Sequence, residues 1–213
     1  NGIEVVVRPI GFNRDIALAL VGKPSLMLLD EQLELSLERN SFWSHELTPL
    51  ATENGHRDCL RFLHDKGISL HNCAALAAAK GNVACLEFIA QHCPLDVHES
   101  AVAYLAAIAN NHFACVKRLH ELNCPWTEQV SILVARKESL ELLQYYYEHG
   151  GPWSYLTCQA AALTGNLECL KFPHERGCAL IPPDSNSLEQ SYLVSIILKR
   201  KYWDCVVYLL AYN

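Results

Sequence analysis

Two stretches of the chain share one pattern. The first is Ala77-Ala78-Ala79-Lys80-Gly81-Asn82-Val83-Ala84-Cys85-Leu86-Glu87-Phe88-Ile89, and the second is Ala161-Ala162-Leu163-Thr164-Gly165-Asn166-Leu167-Glu168-Cys169-Leu170-Lys171-Phe172. A third copy, from Thr48 to His64, keeps the same order. Small residues let a helix pack closely on its neighbours, and a glycine lets the chain turn where a Cβ would obstruct it. The pattern therefore predicts a helix, a tight turn and a second helix.

The cysteine of this pattern marks a repeat. The aligned residues, termed anchors below, are Cys59, Cys85, Cys115, Leu142, Cys169 and Cys205, separated by 26, 30, 27, 27 and 36 residues. Each anchor lies in an apolar series at helical spacing, such as Val83, Leu86 and Ile89. A unit of this size is too small to bury its own apolar face, so the units are expected to stack.

Polar residues are placed where the second helices should begin. The expected caps are Asn82, Ser139 and Asn166. Acidic residues follow in the first turn, where the helix dipole favours negative charge, at Asp58, Glu141, Glu168 and Asp204.

A large apolar residue follows most anchors by eleven positions. These residues are Leu70, Trp126, Trp153 and Leu180, with Leu95 one position early. Because an apolar residue recurs at this position, we expect it to pack between adjacent units. The alternative for Trp126 and Trp153 is that they are exposed and contact a partner. Phe42-Trp43 stands in the same register and indicates an earlier, degenerate unit near Leu18.

Two features break the regularity. Pro173 removes a helical amide donor, so a kink or an early end is expected there. Residues 181–187, with two consecutive prolines, are expected to form a surface loop.

These residues resemble the ankyrin repeat family in its divergent short form, loosely from Leu18 to Asn213 and closely from Leu50 to Leu180. The resemblance implies an all-α, ankyrin-like α-solenoid of stacked antiparallel helix pairs, six clear and one degenerate and N-terminal. Residues 1–14 are expected to form an extended arm and residues 15–213 a single domain. The family's Thr-Pro-Leu-His tetrad survives only as Thr48-Pro49-Leu50, and the short units predict short loops instead of full β-hairpin fingers.

The composition excludes several protein classes. The 213 residues are 51% hydrophobic and 19% charged, which excludes a mainly disordered chain. A net charge of −6 argues against binding to nucleic acid or anionic lipid over the whole surface. The longest apolar run, Ala101 to Ala109, is half of the roughly 18 residues that a membrane span needs.

Ten cysteines and ten histidines raise the alternative of a metal-dependent regulator or an enzyme. Equivalent thiols of stacked units should lie ~8–10 Å apart, beyond the Cα separation of about 4.4–6.8 Å that a disulfide needs. They are therefore expected to be reduced packing residues in an intracellular compartment. Three histidines follow an anchor by five residues, which turns them ~140° away from it around the helix. No catalytic residue, metal ligand or cofactor is predicted; the weak metal candidates are His71 with Cys73 and His92 with Cys93.

The family resemblance places the two residues before each turn on a concave surface. These twelve positions hold five of the 17 basic residues and one acidic residue. The candidate partner-binding residues are Glu53, Asn54, Lys80, Asn110, Arg136, Lys137, Thr164, Lys199 and Arg200. The alternative is that the C-terminal ends of helices favour Lys and Arg for their own stability.

We expect a non-catalytic protein–protein interaction scaffold or adaptor that binds another protein, through an acidic segment, on this concave face. A permanent structural or linker subunit of a larger assembly is the alternative, and a Cys/His metal-dependent regulator is a weaker one. Nucleic acid and a membrane span are not expected. The expected compartment is the cytoplasm, or a plastid or mitochondrion if a transit peptide preceded Asn1.

Overall fold

The computed structural model describes residues 44–180 and 187–212, and in these residues the chain forms twelve α-helices and no β-strand. The expectation of an all-α chain is therefore confirmed for the described part. The expected arm at residues 1–14, the degenerate first unit and residues 181–186 of the expected loop lie outside it, whereas Ser187, the last residue of that loop, begins a helix instead. The helices are α1 Ser44–Glu53, α2 Arg57–Asp65, α3 Cys73–Lys80, α4 Val83–His92, α5 Val97–Ala109, α6 Phe113–Glu121, α7 Glu128–Arg136, α8 Leu140–Glu148, α9 Tyr155–Thr164, α10 Leu167–His174, α11 Ser187–Lys199 and α12 Trp203–Ala211.

The helices form six pairs in chain order, numbered 1 to 6 from α1 and α2 to α11 and α12. Every anchor lies in the second helix of its pair and is at most 2% exposed. Four to seven residues join successive pairs, apart from the connection through 181–186, so the loops are short as expected.

The pairs stack in chain order. Each first helix packs on the first helix of the next pair, from α1 on α3 through to α9 on α11. Second helices pack in the same order, α2 on α4, α4 on α6, α8 on α10 and α10 on α12. Between α6 and α8, the His120 and Tyr145 rings meet edge to face, and Lys117 Nζ lies 5.5 Å from the Tyr145 centroid. One apolar core consequently runs through all six pairs.

The turn inside each pair has one conformation. Its central residue has a positive φ, between 58° and 84°, at Gly55, Gly81, Asn111, Glu138, Gly165 and Lys201. In four pairs the next amide donates to a carbonyl five residues earlier, as from Asn82 to Ala77 at 2.9 Å. Three pairs adopt this conformation without glycine, at a cost of roughly 1–2 kcal/mol each.

Two of the three expected caps are confirmed. Ser139 Oγ accepts from the amide of Leu142 at 3.3 Å, and Asn166 Oδ1 accepts from the amide of Cys169 at 3.0 Å. The expectation for Asn82 is wrong, because its side chain makes no capping bond. Its amide nitrogen donates instead to the carbonyl of Thr52 in pair 1, at 2.7 Å. Helix α10 ends one residue after Pro173 and five after its anchor, where the other second helices end six or seven after theirs; this confirms the early end.

Packing of the large apolar residue after each anchor is also confirmed. Leu70 and Leu180 are buried, and the half-buried Trp126 and Trp153 pack against the core. Trp126 stacks on Tyr104 with 4.4 Å between ring centroids. None of the described helices is both long and apolar enough to cross a lipid bilayer.

Candidate functional site

The nine candidate residues lie at the C-terminal ends of the first helices. Because these helices pack side by side, their ends form a continuous surface, termed the turn ridge, made of the candidate residues and the turns that follow them. Lys137 and Thr164 are half-buried, and the exposed candidates are Glu53, Asn54, Lys80, Asn110, Arg136, Lys199 and Arg200.

Three of the five basic residues on the turn ridge reach back to the preceding pair. Lys80 Nζ pairs with Glu53 Oε1 at 2.6 Å. Lys137 Nζ donates to the carbonyl of Ala109 at 2.5 Å, and an Arg200 guanidinium nitrogen donates to the carbonyl of Leu163 at 2.7 Å. Both carbonyls belong to the last turn of a helix, where a positive side chain is stabilising. Three of the five positive side chains therefore make contacts within the stack.

Two basic residues of the turn ridge are different. Arg136 and Lys199 are exposed and make no ion pair or hydrogen bond with another described residue. They remain available to a ligand of opposite charge. The uncharged members mostly bond within their own helices: the Asn54 and Asn110 amides donate to Leu50 and Ala106 at 2.9 Å, and Thr164 Oγ1 donates to Ala161 at 2.8 Å.

Rings cover two of the ridge's turns. A Cβ on Gly81 would lie 2.7 Å from the His112 ring, and a Cβ on Gly165 would lie 2.6 Å from the Tyr202 ring. His112 and Tyr202 each belong to the pair after the turn that they cover. At these two junctions the residue that follows one turn packs on the turn of the preceding pair, a relationship that alignment of the repeats could have revealed.

The histidines five residues after an anchor face the next second helix. His64 lies against Phe88 and His92, His120 against Tyr145 and His149, and His174 against Tyr208 and Tyr212. His174 Nδ1 is 2.7 Å from the Tyr208 hydroxyl oxygen. Burial, and secondarily the charge of His149, lowers the pKa of His120. These side chains form aromatic contacts between pairs.

All ten cysteines lie in the described residues, and all are free thiols. Burial raises the pKa of the Cys85 and Cys169 thiols to about 11, and it also raises the pKa of Cys59, Cys115 and Cys205. These five sulphurs are consequently protonated at neutral pH, whereas a nucleophile or metal ligand must be a thiolate.

In each of the two weak metal candidates, Nδ1 of the histidine lies beside a group other than the cysteine. Cys73 is buried, whereas the His71 side chain is 78% exposed and its Nδ1 lies 3.4 Å from Glu99 Oε1. His92 Nδ1 lies 2.8 Å from the carbonyl oxygen of Phe88. In the described part of the chain, no three His, Cys, Asp or Glu side chains are grouped so that they could hold a metal ion.

A pocket of about 340 Å³ opens between pairs 2 and 3, near the N-terminal ends of α3 and α5. Its walls are mostly apolar, with the side chains of Leu70, Ala74, Ala75, Ile89, Leu95 and Val102. Polar groups of His71, His98 and Glu99 also line it. The volume is at the lower end of the range for ligand pockets, about 300–1,000 Å³.

The outer face of α12 is apolar and exposed. Trp203, Val207 and Leu210 are 60%, 66% and 64% exposed, and the following Tyr212 is 63% exposed. The first three lie on one side of the helix because they are four and three residues apart. The residues equivalent to Leu210 in three earlier second helices, His64, His120 and His174, contact the next second helix.

Neither protein-family models nor curated proteins gave a match to this sequence. The functional argument therefore starts from the turn ridge, the pocket and the outer face of α12.

Proposed function

We propose that this protein is an ankyrin-like α-solenoid that acts as a non-catalytic protein–protein interaction scaffold and binds its partner on the turn ridge. The ridge would form the concave face of the solenoid. The repeated motif, the order in which the pairs stack and the uniform turns support this proposal. The ten free thiols favour a reducing compartment, and we propose the cytoplasm, with a plastid or mitochondrion as the alternative.

The observation that carries the proposal is the chain of contacts along the ridge. Asn82, Lys137 and Arg200 each bond a backbone carbonyl at the end of the preceding first helix. These bonds fix successive turns against each other before any partner arrives. A preorganised surface loses less conformational entropy on binding, so more of the contact energy contributes to affinity.

The free charges define the chemistry of the partner. Arg136 in pair 4 and Lys199 in pair 6 project from the ridge without a described ionic partner, and Arg200 and Lys137 lie beside them. An acidic segment that crosses pairs 4 to 6 would be attracted to this part of the ridge, although the whole protein carries a net charge of −6. We propose such a segment as the ligand.

Affinity capture from the protein's own source tests the proposal. The bait is the wild type or the Arg136→Glu, Lys199→Glu double variant. A charge-matched control carries Arg61→Glu and Lys117→Glu, which change exposed residues of α2 and α6 by the same charge. We expect the wild type and the control to capture the same protein and the ridge variant to lose it. Equal capture by all three baits would reject the ridge as the binding surface.

A permanent subunit of a larger assembly is the second candidate, and the outer face of α12 favours it. Trp203, Val207 and Leu210 expose a contiguous apolar surface, which is typical of a contact between proteins. Sedimentation of the purified chain should then show association that Val207→Glu and Leu210→Glu abolish. A monomer at all concentrations, with or without these changes, would count against this candidate.

A further inference from the structure

The pocket between pairs 2 and 3 has a counterpart at the next junction that is filled. There Trp126, eleven residues after its anchor, stacks on Tyr104 with 4.4 Å between centroids and on His120 with 5.3 Å. Its ring also meets the edge of Tyr146, 4.7 Å away. One indole therefore closes the junction between pairs 3 and 4.

The residues that build this aromatic cluster are all smaller at the junction with the pocket. Tyr104 lies seven residues before the turn residue Asn111, and the residue seven before Gly81 is Ala74. His120 lies five residues after its anchor, and the equivalent in pair 2 is Ala90. The residue equivalent to Trp126 is Leu95, which lies one position early in its repeat. Ala74 and Leu95 line the pocket. The cavity therefore lies where larger aromatic side chains fill the next junction.

We propose that this pocket binds a tryptophan side chain presented by a segment of a partner protein. The incoming indole would occupy the position that Trp126 takes at the next junction, between Ala74 and Leu95. The walls match an indole because they are mostly apolar, and Val102, 39% exposed, extends the apolar surface at the mouth. Aromatic side chains in such pockets are typical anchors of protein interfaces.

The polar groups of the pocket suit the single donor of an indole. Glu99 Oε1 lies 3.4 Å from His71 Nδ1, and the two side chains join the loop before α3 to the first turn of α5. The backbone of Glu99 is held by Asp96 Oδ1, which accepts from its amide at 2.7 Å. A carboxylate oxygen in this position can accept from an indole N–H, which is a donor only.

The pocket and the turn ridge lie at opposite ends of the first helices. His98, Glu99 and Val102 belong to the first half of α5, whereas the ridge residue Asn110 follows its last residue. The pocket is thus a second contact, beyond the proposed function of the ridge. Its test uses no partner and no ridge variant, so failure of one proposal leaves the other standing.

The test is an NMR titration of the full chain with N-acetyl-tryptophanamide, with N-acetyl-leucinamide as the aliphatic control. In the Leu95→Trp variant, an indole side chain of the protein itself is expected to fill the pocket. Ala75→Leu narrows the pocket from another wall. This second variant allows the proposal to be tested if Leu95→Trp does not fold. Glu148→Trp, which adds the same side chain at the exposed end of α8, is the matched control. Dispersed amide spectra establish that each variant is folded.

We expect the tryptophan probe to shift the amide signals of Ala74, Ala75 and Val102 in the wild type and in Glu148→Trp. Its dissociation constant should rise at least tenfold in Leu95→Trp and in Ala75→Leu. Absent shifts, equal shifts with the leucine probe, or unchanged affinity in the filled variants would each overturn the proposal. Tighter binding of free tryptophan than of the capped amide would also overturn it, by indicating a site for the amino acid and not for a protein segment.

Discussion

The side-chain amide nitrogen of Asn82 lies 2.7 Å from the carbonyl oxygen of Thr52 and joins pair 2 to the last turn of α1. The same nitrogen lies 3.2 Å from the carbonyl oxygen of Glu53. Asn82 is the first residue after the turn of its pair, the position that usually caps the following helix. Here its side chain donates instead to carbonyls at the C-terminal end of the preceding first helix. Neighbouring pairs are therefore joined by hydrogen bonds as well as by apolar burial.

Asn82→Ala should lower the free energy of unfolding by about 1–2 kcal/mol, because the carbonyls of Thr52 and Glu53 lose the hydrogen bonds from its side chain. Urea denaturation followed by circular dichroism measures the change. Asn54→Ala is the matched control, since its exposed amide bonds only to Leu50 of its own helix; it should change stability by less than about 0.5 kcal/mol. Equal losses in the two variants would show that Asn82 does not join the pairs.

The turn glycines allow a test of the contacts between pairs. Gly165 and Gly177 have similar φ angles, 84° and 87°, but a Cβ would meet the Tyr202 ring at Gly165 and nothing within 4 Å at Gly177. Alanine at either site carries the cost of a positive φ, roughly 1–2 kcal/mol. Gly165→Ala should cost about 1–3 kcal/mol more, because the packed ring must move. Similar thermal unfolding of the two variants would mean that Tyr202 does not pack on the turn.

Thiol labelling tests the packing role of the cysteines. Cys93 is half-buried, whereas the other nine cysteines are buried, and burial raises the pKa of Cys85 and Cys169 to about 11. Because only a thiolate reacts, the folded protein at pH 7.5 should be labelled first at Cys93, and the anchors should react only after unfolding. Mass spectrometry of the labelled peptides identifies the sites. Labelling of Cys85 as fast as Cys93 would contradict the buried arrangement.

Protonation of His120 should destabilise the stack in mild acid. Burial, followed by the neighbouring His149, lowers the pKa of His120 in the folded chain below the usual value of about 6.5. The unfolded chain therefore binds the proton more readily, and stability falls as the pH drops below about 6.5. His120→Phe removes this contribution, so its unfolding free energy should fall less than that of the wild type between pH 8 and pH 5.5. The same pH dependence of the unfolding free energy in the wild type and in His120→Phe would contradict the assignment of this effect to His120.

The repeated positions explain how much of the fold could be predicted. Six anchors in one register identified six helix pairs, and the acidic first turns and the caps at Ser139 and Asn166 followed from local helix chemistry. Asn82 was misinterpreted because the same amide can cap its own helix or bond a neighbour, and only the stack decides between them. The local sequence pattern does not show which of these two partners lies nearer to the Asn82 side chain.

The candidate site was less predictable for the same physical reason. Lys80, Lys137 and Arg200 were correctly placed at helix ends, but their contacts with the preceding pair depend on how two units meet. The pocket could have been found by aligning Ala74 with Tyr104, since a cavity is expected where small residues replace large ones. Its volume and its polar groups require the packed structure.

The salt dependence of partner binding tests the central claim, that the turn ridge binds an acidic protein segment, most directly. The dissociation constant of the captured partner is measured by calorimetry at about 50 mM and about 500 mM NaCl, because added salt screens exposed charges. We predict at least tenfold weaker binding to the wild type at high salt, and a much smaller difference for the Arg136→Glu, Lys199→Glu variant. An affinity that is independent of salt, or identical in the two proteins, would contradict the account.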